Sequence, residues 1–229
     1  MFRAIYDSPW HNPAAFWAAG LAFLAWWMRR KPFLTAFVAL FTVEILADAL
    51  SSGAWSPVTL LHSPAEQPLS IAFVILGDWR YFLVAERYAR SPSARPGDAT
   101  APAAWASSIA LSFVVPIASA IANRHLPAGL AADVRWTFLV YEILFFLLAI
   151  ALRFAVYPRR LAAARAPVRA WILRVTTFEI VQYALWALSD VTILAGVDAG
   201  FALRLVPDGM YYMLFLPFVA LTAPAEVDA

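Results

Sequence analysis

Seven apolar stretches leave this chain little choice of solvent. They run approximately Pro13–Met28, Pro32–Leu50, Pro68–Glu86, Pro102–Ala122, Val134–Tyr157, Val168–Ala195 and Ala199–Thr222. A helix that crosses a bilayer needs roughly 17–25 mostly apolar residues, and each stretch is near or within that length. In lipid every backbone polar group must be satisfied inside the chain, so only helices or a closed barrel can span. None of the stretches alternates with period two, so the reading is all-α and polytopic, with seven spans. Proline opens four of them, where its missing N–H costs nothing. Composition agrees: 63% of residues are hydrophobic and only 14% charged, with mean hydropathy +0.70. A soluble domain is about a quarter charged.

Basic residues orient the spans. Arg29, Arg30, Lys31, Arg87, Arg90, Arg95, Arg159, Arg160, Arg165 and Arg169 fall in or beside alternate links, against Arg3, Arg124 and Arg135 on the other side. Lys and Arg collect on the cytoplasmic face, which predicts an outside N-terminus and a cytoplasmic C-terminus. A single Lys among sixteen Arg, with abundant Ala, suggests a GC-rich bacterial genome and hence the cell inner membrane. The N-terminal dozen residues lack the basic-then-apolar pattern of a cleaved signal, so the first span is expected to be retained. The sequence pI of about 9.1 reflects these short loops and does not point to nucleic acid. Cysteine is absent, which removes disulfides, thiol chemistry and thiolate-bound metal.

Two segments echo each other across the chain. Thr42–Leu50 returns as Thr177–Leu185, and Asp78–Val84 returns as Asp208–Leu214. The Glu pair is 135 residues apart (179 minus 44) and the Asp pair 130 (208 minus 78). The expected domain is therefore one membrane unit. It has a three-helix repeat at 13–86, a linker helix at 102–122, a second three-helix repeat at 134–222 and a disordered acidic tail at 223–229. Three helices plus one linker restart on the same side, so the repeats would be parallel. At ~1.5 Å per residue the four acids lie about 13–18 Å into their helices, near the midplane.

That three-plus-one-plus-three layout is similar in topology to the sugar-transporting SWEET proteins with their PQ-loop relatives, and to the microbial rhodopsins. The resemblance implies nothing residue by residue. The Pro-Gln dipeptide is missing, and the sole lysine, Lys31, lies in a loop. A covalent retinal needs a lysine in the last span and is excluded.

Ionisable residues within spans are functional candidates by default, at a cost of about 2.5–3.5 kcal/mol each on insertion scales. Glu44 and Asp48 share one face of their span. Glu179, Tyr183, Trp186 and Asp190 share another, flanked by Gln182. Arg204, Asp208 and Tyr211 share a third. Asp78 groups with Tyr81 and Phe82, with Arg80 pointing elsewhere or snorkelling, while Glu142 falls on the face of Arg153. The candidate ligand- or ion-binding set is Glu44, Asp48, Asp78, Tyr81, Glu142, Glu179, Gln182, Asp190, Asp208 and Tyr211. Arg80, Arg174 and Arg204 are the available ion-pair partners, and internal pairing is the structural alternative. Glu86, Arg87 and Arg90 read as interfacial charges.

Carboxylates crowded together cannot all ionise, which makes proton coupling natural. Tyrosines and tryptophans offer cation–π faces for an organic cation. The leading expectation is a carrier or ligand-binding protein whose partners are membrane lipids and a small molecule or cation. A lipid-modifying enzyme using the same acids and a non-transporting sensor or assembly factor remain open. No cofactor is expected, although Glu44, Asp78, Glu179 and Asp208 could hold a divalent cation. His11, His62 and His125 lack metal-ligand spacing, and no phosphate loop, dinucleotide fingerprint or Gly-x-Ser-x-Gly occurs.

Overall fold

The structure is a computed structural model, and it describes residues 1–7, 20, 32–51, 63–90, 102–131 and 133–227. Among them every regular element is a helix. In chain order these are α1 (Phe2–Tyr6), α2 (Pro32–Ser51), α3 (Glu66–Arg90), α4 (Pro102–Ser112), α5 (Val114–Asn123), α6 (Ala128–Ala131), α7 (Val134–Ala151), α8 (Tyr157–Arg160), α9 (Ala166–Leu194), α10 (Ala199–Gly209) and α11 (Phe215–Thr222). Two π-helical turns, Leu152–Val156 and Met210–Leu214, join α7 to α8 and α10 to α11. The first apolar stretch, Pro13–Met28, lies outside the described residues apart from Gly20, as does the loop at 91–101.

Four helical runs are long and apolar enough to cross a membrane: Pro68–Ala89, Pro102–Asn123, Val134–Arg160 and Ala199–Thr222. Prolines shape three of them. Pro116 cannot bond the carbonyl of Ser112, and the run is interrupted at Phe113 between α4 and α5. Pro158 follows the first π turn, while the second lies between Pro207 and Pro217. A helix that loses an i→i−4 bond accommodates it by such a local change of register. Pro207 is internal to α10, so the last apolar stretch begins at Ala199 and does not restart at the proline.

Beside an apolar core, the protein exposes large apolar residues and buries charge. Val43, Ile117, Leu147 and Phe154 are exposed, Phe154 at 69%. Ile109, Phe113, Ile117 and Ile121 make a continuous exposed apolar stripe at i, i+4 spacing along α4 and α5. The charged residues Glu44, Asp48, Asp78, Arg80, Glu86, Arg87, Glu142, Glu179, Asp190 and Asp208 are buried. In water this arrangement would waste the hydrophobic effect, whereas in a bilayer it keeps charge away from hydrocarbon.

Helix α9 organises the interior. It packs on α7, α10 and α3, and α2 closes the bundle against α3 and α11. The seam between α3, α7 and α9 is aromatic, with Phe145 stacked on Tyr183 at 3.9 Å and in contact with Tyr81 and Phe82. Residues 223–227, expected from sequence to be disordered, instead form a turn. Its apolar Val227 is buried in the core at 1% exposure.

Local signals fix the ends of α7 and α9. Asp133 caps α7, its carboxylate accepting the Arg135 N–H at 2.9 Å. At the end of α9, Gly196 adopts φ +80°. Its N–H donates to the Ile193 carbonyl at 2.9 Å, and the Val197 N–H donates to that of Thr192 at 3.1 Å. This is a Schellman cap, and it turns the chain directly into α10. Gly196→Ala places a Cβ in a left-handed backbone and should lower unfolding free energy by about 1 kcal/mol. Unfolding in mixed detergent micelles measures it. Gly129→Ala, which meets nothing within 4 Å, should cost less than half as much.

Candidate functional site

Polar side chains run through the bundle in three groups strung along α9. Asp190 and Thr176, on that one helix, are about 21 Å apart at ~1.5 Å per residue. The first group surrounds Arg204 on α10. Its Nη1 donates to Glu142 Oε1 on α7 at 3.3 Å and to Asp190 Oδ1 on α9. Arg135 donates to the same Asp190 oxygen at 2.9 Å. Asp208 also acts on Arg204, and its Oδ1 accepts the Trp186 Nε1–H at 2.6 Å. Glu142 therefore pairs with Arg204, and Arg153 bonds Thr177 instead.

The second group is central. Asp78 on α3 accepts hydrogen bonds from two hydroxyls, Tyr141 to Oδ2 and Tyr183 to Oδ1 at 2.8 Å. Arg80, two residues along, is 1% exposed. Its guanidinium carbon lies 3.9 Å from the Tyr211 ring centroid and 4.7 Å from that of Phe215. Neither its Nε nor either Nη has a hydrogen-bond partner. Three carboxylates lie within its Coulombic reach: Glu44 on α2, Asp78 on α3 and Glu179 on α9. Both carboxylate oxygens of Glu44 are buried and also without a hydrogen-bond partner. Asp48, one turn further along α2, bonds Tyr212. Gln182 is 1% exposed with its Oε1 unpartnered.

The second π turn builds this centre. Met210–Leu214 carries Tyr211 and Tyr212, and π turns inside α-helices recur at functional sites. Tyr211 fits only because residue 77 is glycine: a Cβ there would stand 1.7 Å from its hydroxyl oxygen. Gly77→Ala should therefore cost about 1–3 kcal/mol by overpacking. In a Tyr211→Ala background the same change should cost less than about a third of that. Equal penalties in both backgrounds, measured by micelle unfolding, would show that Tyr211 does not sit there.

The third group lies around Glu86, which is fully buried. Arg160 grips it with two nitrogens, Nη2 to Oε2 at 2.7 Å and Nη1 to Oε1 at 2.5 Å. Ser107 donates to Oε2 at 2.7 Å and Tyr157 to Oε1 at 3.4 Å. Tyr81 continues the line, donating to Thr176 at 3.2 Å. Glu86 and Arg87 are thus interior residues; only a three-dimensional partner, Arg160 from 74 positions away, makes burial of that carboxylate tolerable.

The structure thus brings Glu44, Asp78, Glu179 and Tyr211 to Arg80, sets Asp48 on Tyr212, and puts Glu142, Asp190 and Asp208 around Arg204. Tyr81 donates to Thr176 and lies within Coulombic reach of Glu179, whereas Arg174 is exposed. Arg80, expected to point elsewhere, points inward, its guanidinium lying against the Tyr211 and Phe215 rings. Tyr141 does not stand out in the sequence; its i−1 position beside Glu142 on an apolar helix is the only signal it gives. Among the described residues, no group of three or more His, Asp or Glu is placed to hold a metal ion.

A further contact ties the N-terminal segment to α10. Asp198 accepts from the N-terminal ammonium at 2.8 Å and from the Phe2 and Arg3 N–H groups at 2.8 and 3.1 Å. These donors hold its carboxyl at about 2, below the ordinary 3.8. Burial pushes the Tyr6 hydroxyl up to about 12, and Tyr6 bonds Arg204. A depressed carboxyl contributes above its unfolded value and loses that contribution as pH falls through its folded one. The Asp198 contact should be complete above about pH 4 and lost towards pH 2. Amide shifts of Phe2 and Arg3 should titrate with a midpoint near 2, and a midpoint near 4 would contradict the geometry.

No family model, curated protein or solved structure matches the chain.

Proposed function

We propose that the protein is a seven-span inner-membrane carrier, or solute-binding membrane protein, whose working site is the centre of the bundle. One observation carries the reading. Arg80 and Glu44 are opposite charges, both buried, on different helices, and neither has a hydrogen-bond partner. Buried polar groups are almost always satisfied, by protein, water or ligand. Around Arg204 and Glu86 each of Glu142, Asp190 and Glu86 holds at least one ion pair, although Glu142 Oε2 and Asp190 Oδ2 lack partners of their own; at Arg80 and Glu44 every polar side-chain atom is unpartnered, and that marks the place where something else binds. Arg80 faces three carboxylates, an excess of negative charge that a proton or a cation would balance.

In this reading α2 and α9 are spans alongside the four long apolar runs, and Pro13–Met28 supplies the seventh. The internal repeat would relate Glu44 to Glu179, and both act on Arg80. The N-terminus is outside and the C-terminus cytoplasmic, from the basic loops. The ion pairs flanking the centre then close it towards either face, and solute moves when one three-helix unit rocks against the other.

The absence of native cysteine makes a direct test available. Gln182→Cys, one turn from Glu179 and buried, is reconstituted in vesicles and treated with a membrane-impermeant cationic methanethiosulfonate. Labelling should occur, and its rate, divided by that of a free small thiol at the same pH to remove the thiol's own ionisation, should change several-fold between about pH 5 and pH 8 as the acids titrate. Glu44→Gln and Glu179→Gln, each added to Gln182→Cys, should insert normally and abolish that pH dependence. A thiol that stays unreactive from both faces at every pH would sink the carrier reading and leave a solid, ion-paired scaffold.

A further inference from the structure

The two unpartnered groups at the centre differ in sign, and that difference restricts what can satisfy them. Arg80 makes no hydrogen bond to its neighbours: the Tyr211 and Phe215 rings lie against its guanidinium, and its N–H groups are all unpartnered. A guanidinium edge presents its donors in a planar fork that matches a carboxylate. Asp78, the nearest acid in sequence, already accepts from Tyr141 and Tyr183. Glu44 presents the complementary need, two buried acceptor oxygens with no donor. A direct Arg80–Glu44 bond would satisfy both, and the side chains do not make it. Tyr211, seated against Gly77, places its ring against the guanidinium.

Three kinds of occupant can be compared. A lone cation would satisfy Glu44 and leave the arginine fork empty. A lone anion would satisfy the fork and leave Glu44 without a donor. Leaving either buried and unsatisfied carries a large desolvation penalty. A molecule carrying both charges satisfies both at once. We propose that the centre of the bundle binds a small zwitterion of the α-amino-acid class, its carboxylate on Arg80 and its ammonium on Glu44. This rests on the carrier reading and names the solute class for that site. Glu179 stands near Arg80 as a second carboxylate for the ammonium. Because a zwitterion adds no net charge, the remaining negative charge still calls for a proton, which would travel with it.

The test uses the full-length protein in nanodiscs and calorimetric titration with each of the twenty L-amino acids. For every one that binds, its amide (cation only) and its deaminated acid (anion only) follow. At least one amino acid should bind, and both single-charge analogues should bind about ten-fold more weakly or worse. Arg80→Gln should erase the preference for the amino acid over its amide, and Glu44→Gln the preference over the deaminated acid. Arg80→Lys should not restore it, since an ammonium lacks the fork. Should an arginine variant fail to fold, the analogue series on the wild-type protein decides alone. No binding by any of the twenty overturns the proposal. So does an amide that binds as tightly as its parent; if that binding still needs Glu44, the carrier reading survives. Zwitterion binding with an inert thiol at residue 182 would do the opposite: the solute class stands, and the protein binds without carrying.

Discussion

Burial of charge in an apolar slab is the constraint on which this structure depends. Three arginines discharge part of it. Arg204 draws in Glu142 and Asp190 from α7 and α9, Arg135 joins it on Asp190, and Arg160 holds Glu86 on α3. These pairs join different helices, so they also fix helix register. Between apolar surfaces in lipid there is no hydrophobic drive to associate. Polar contacts of this kind and aromatic packing, such as Phe145 on Tyr183, are what remain to hold the bundle.

The order of the three groups has a consequence for access. Paired charges stand on both sides of an unpaired centre along α9. A buried ion pair whose geometry is good resists separation, because breaking it strands a charge. Both ends are consequently strong contacts, and the middle is weak. The π turns and prolines are distributed accordingly. One π turn precedes Pro158, beside the Glu86–Arg160 pair, and the other carries Tyr211 at the centre. Backbone irregularity at membrane depth is tolerated where it is buried in protein or lines a polar path.

What is legible in the sequence follows from the type of signal. Helix positions are readable because apolar length is a one-dimensional property: the ends of α2, α7 and α9 fall within a few residues of the apolar stretches. The site is legible in part. Glu44, Asp78, Glu179 and Asp208 stand out because charge is costly in a span, and face periodicity correctly joins Glu179 to Tyr183 and Trp186. Their partners are not readable. Arg80 lies two positions from Asp78 on the helix, where side chains diverge, so sequence alone turns it away from the acids. Its inward course is imposed by two rings from another part of the chain. Glu86 resembles an interfacial charge because position near a helix end is the only cue sequence offers. Its burial depends on Arg160, on a different helix.

Arg80 shows why the centre differs in kind from the groups beside it. If charge burial served only to lock helices, the simplest solution would be a direct Arg80–Glu44 or Arg80–Glu179 bond, as at Arg160 and Arg204. Both acids are close enough to feel the arginine, yet its three nitrogens stay unpartnered beside the Tyr211 and Phe215 rings. An arginine held in place by rings and without a protein acceptor suits a planar acceptor. In the proposed carrier, the stability forgone by leaving those donors empty would be recovered when an acceptor arrives, and that difference would bias the bundle between an empty and an occupied arrangement.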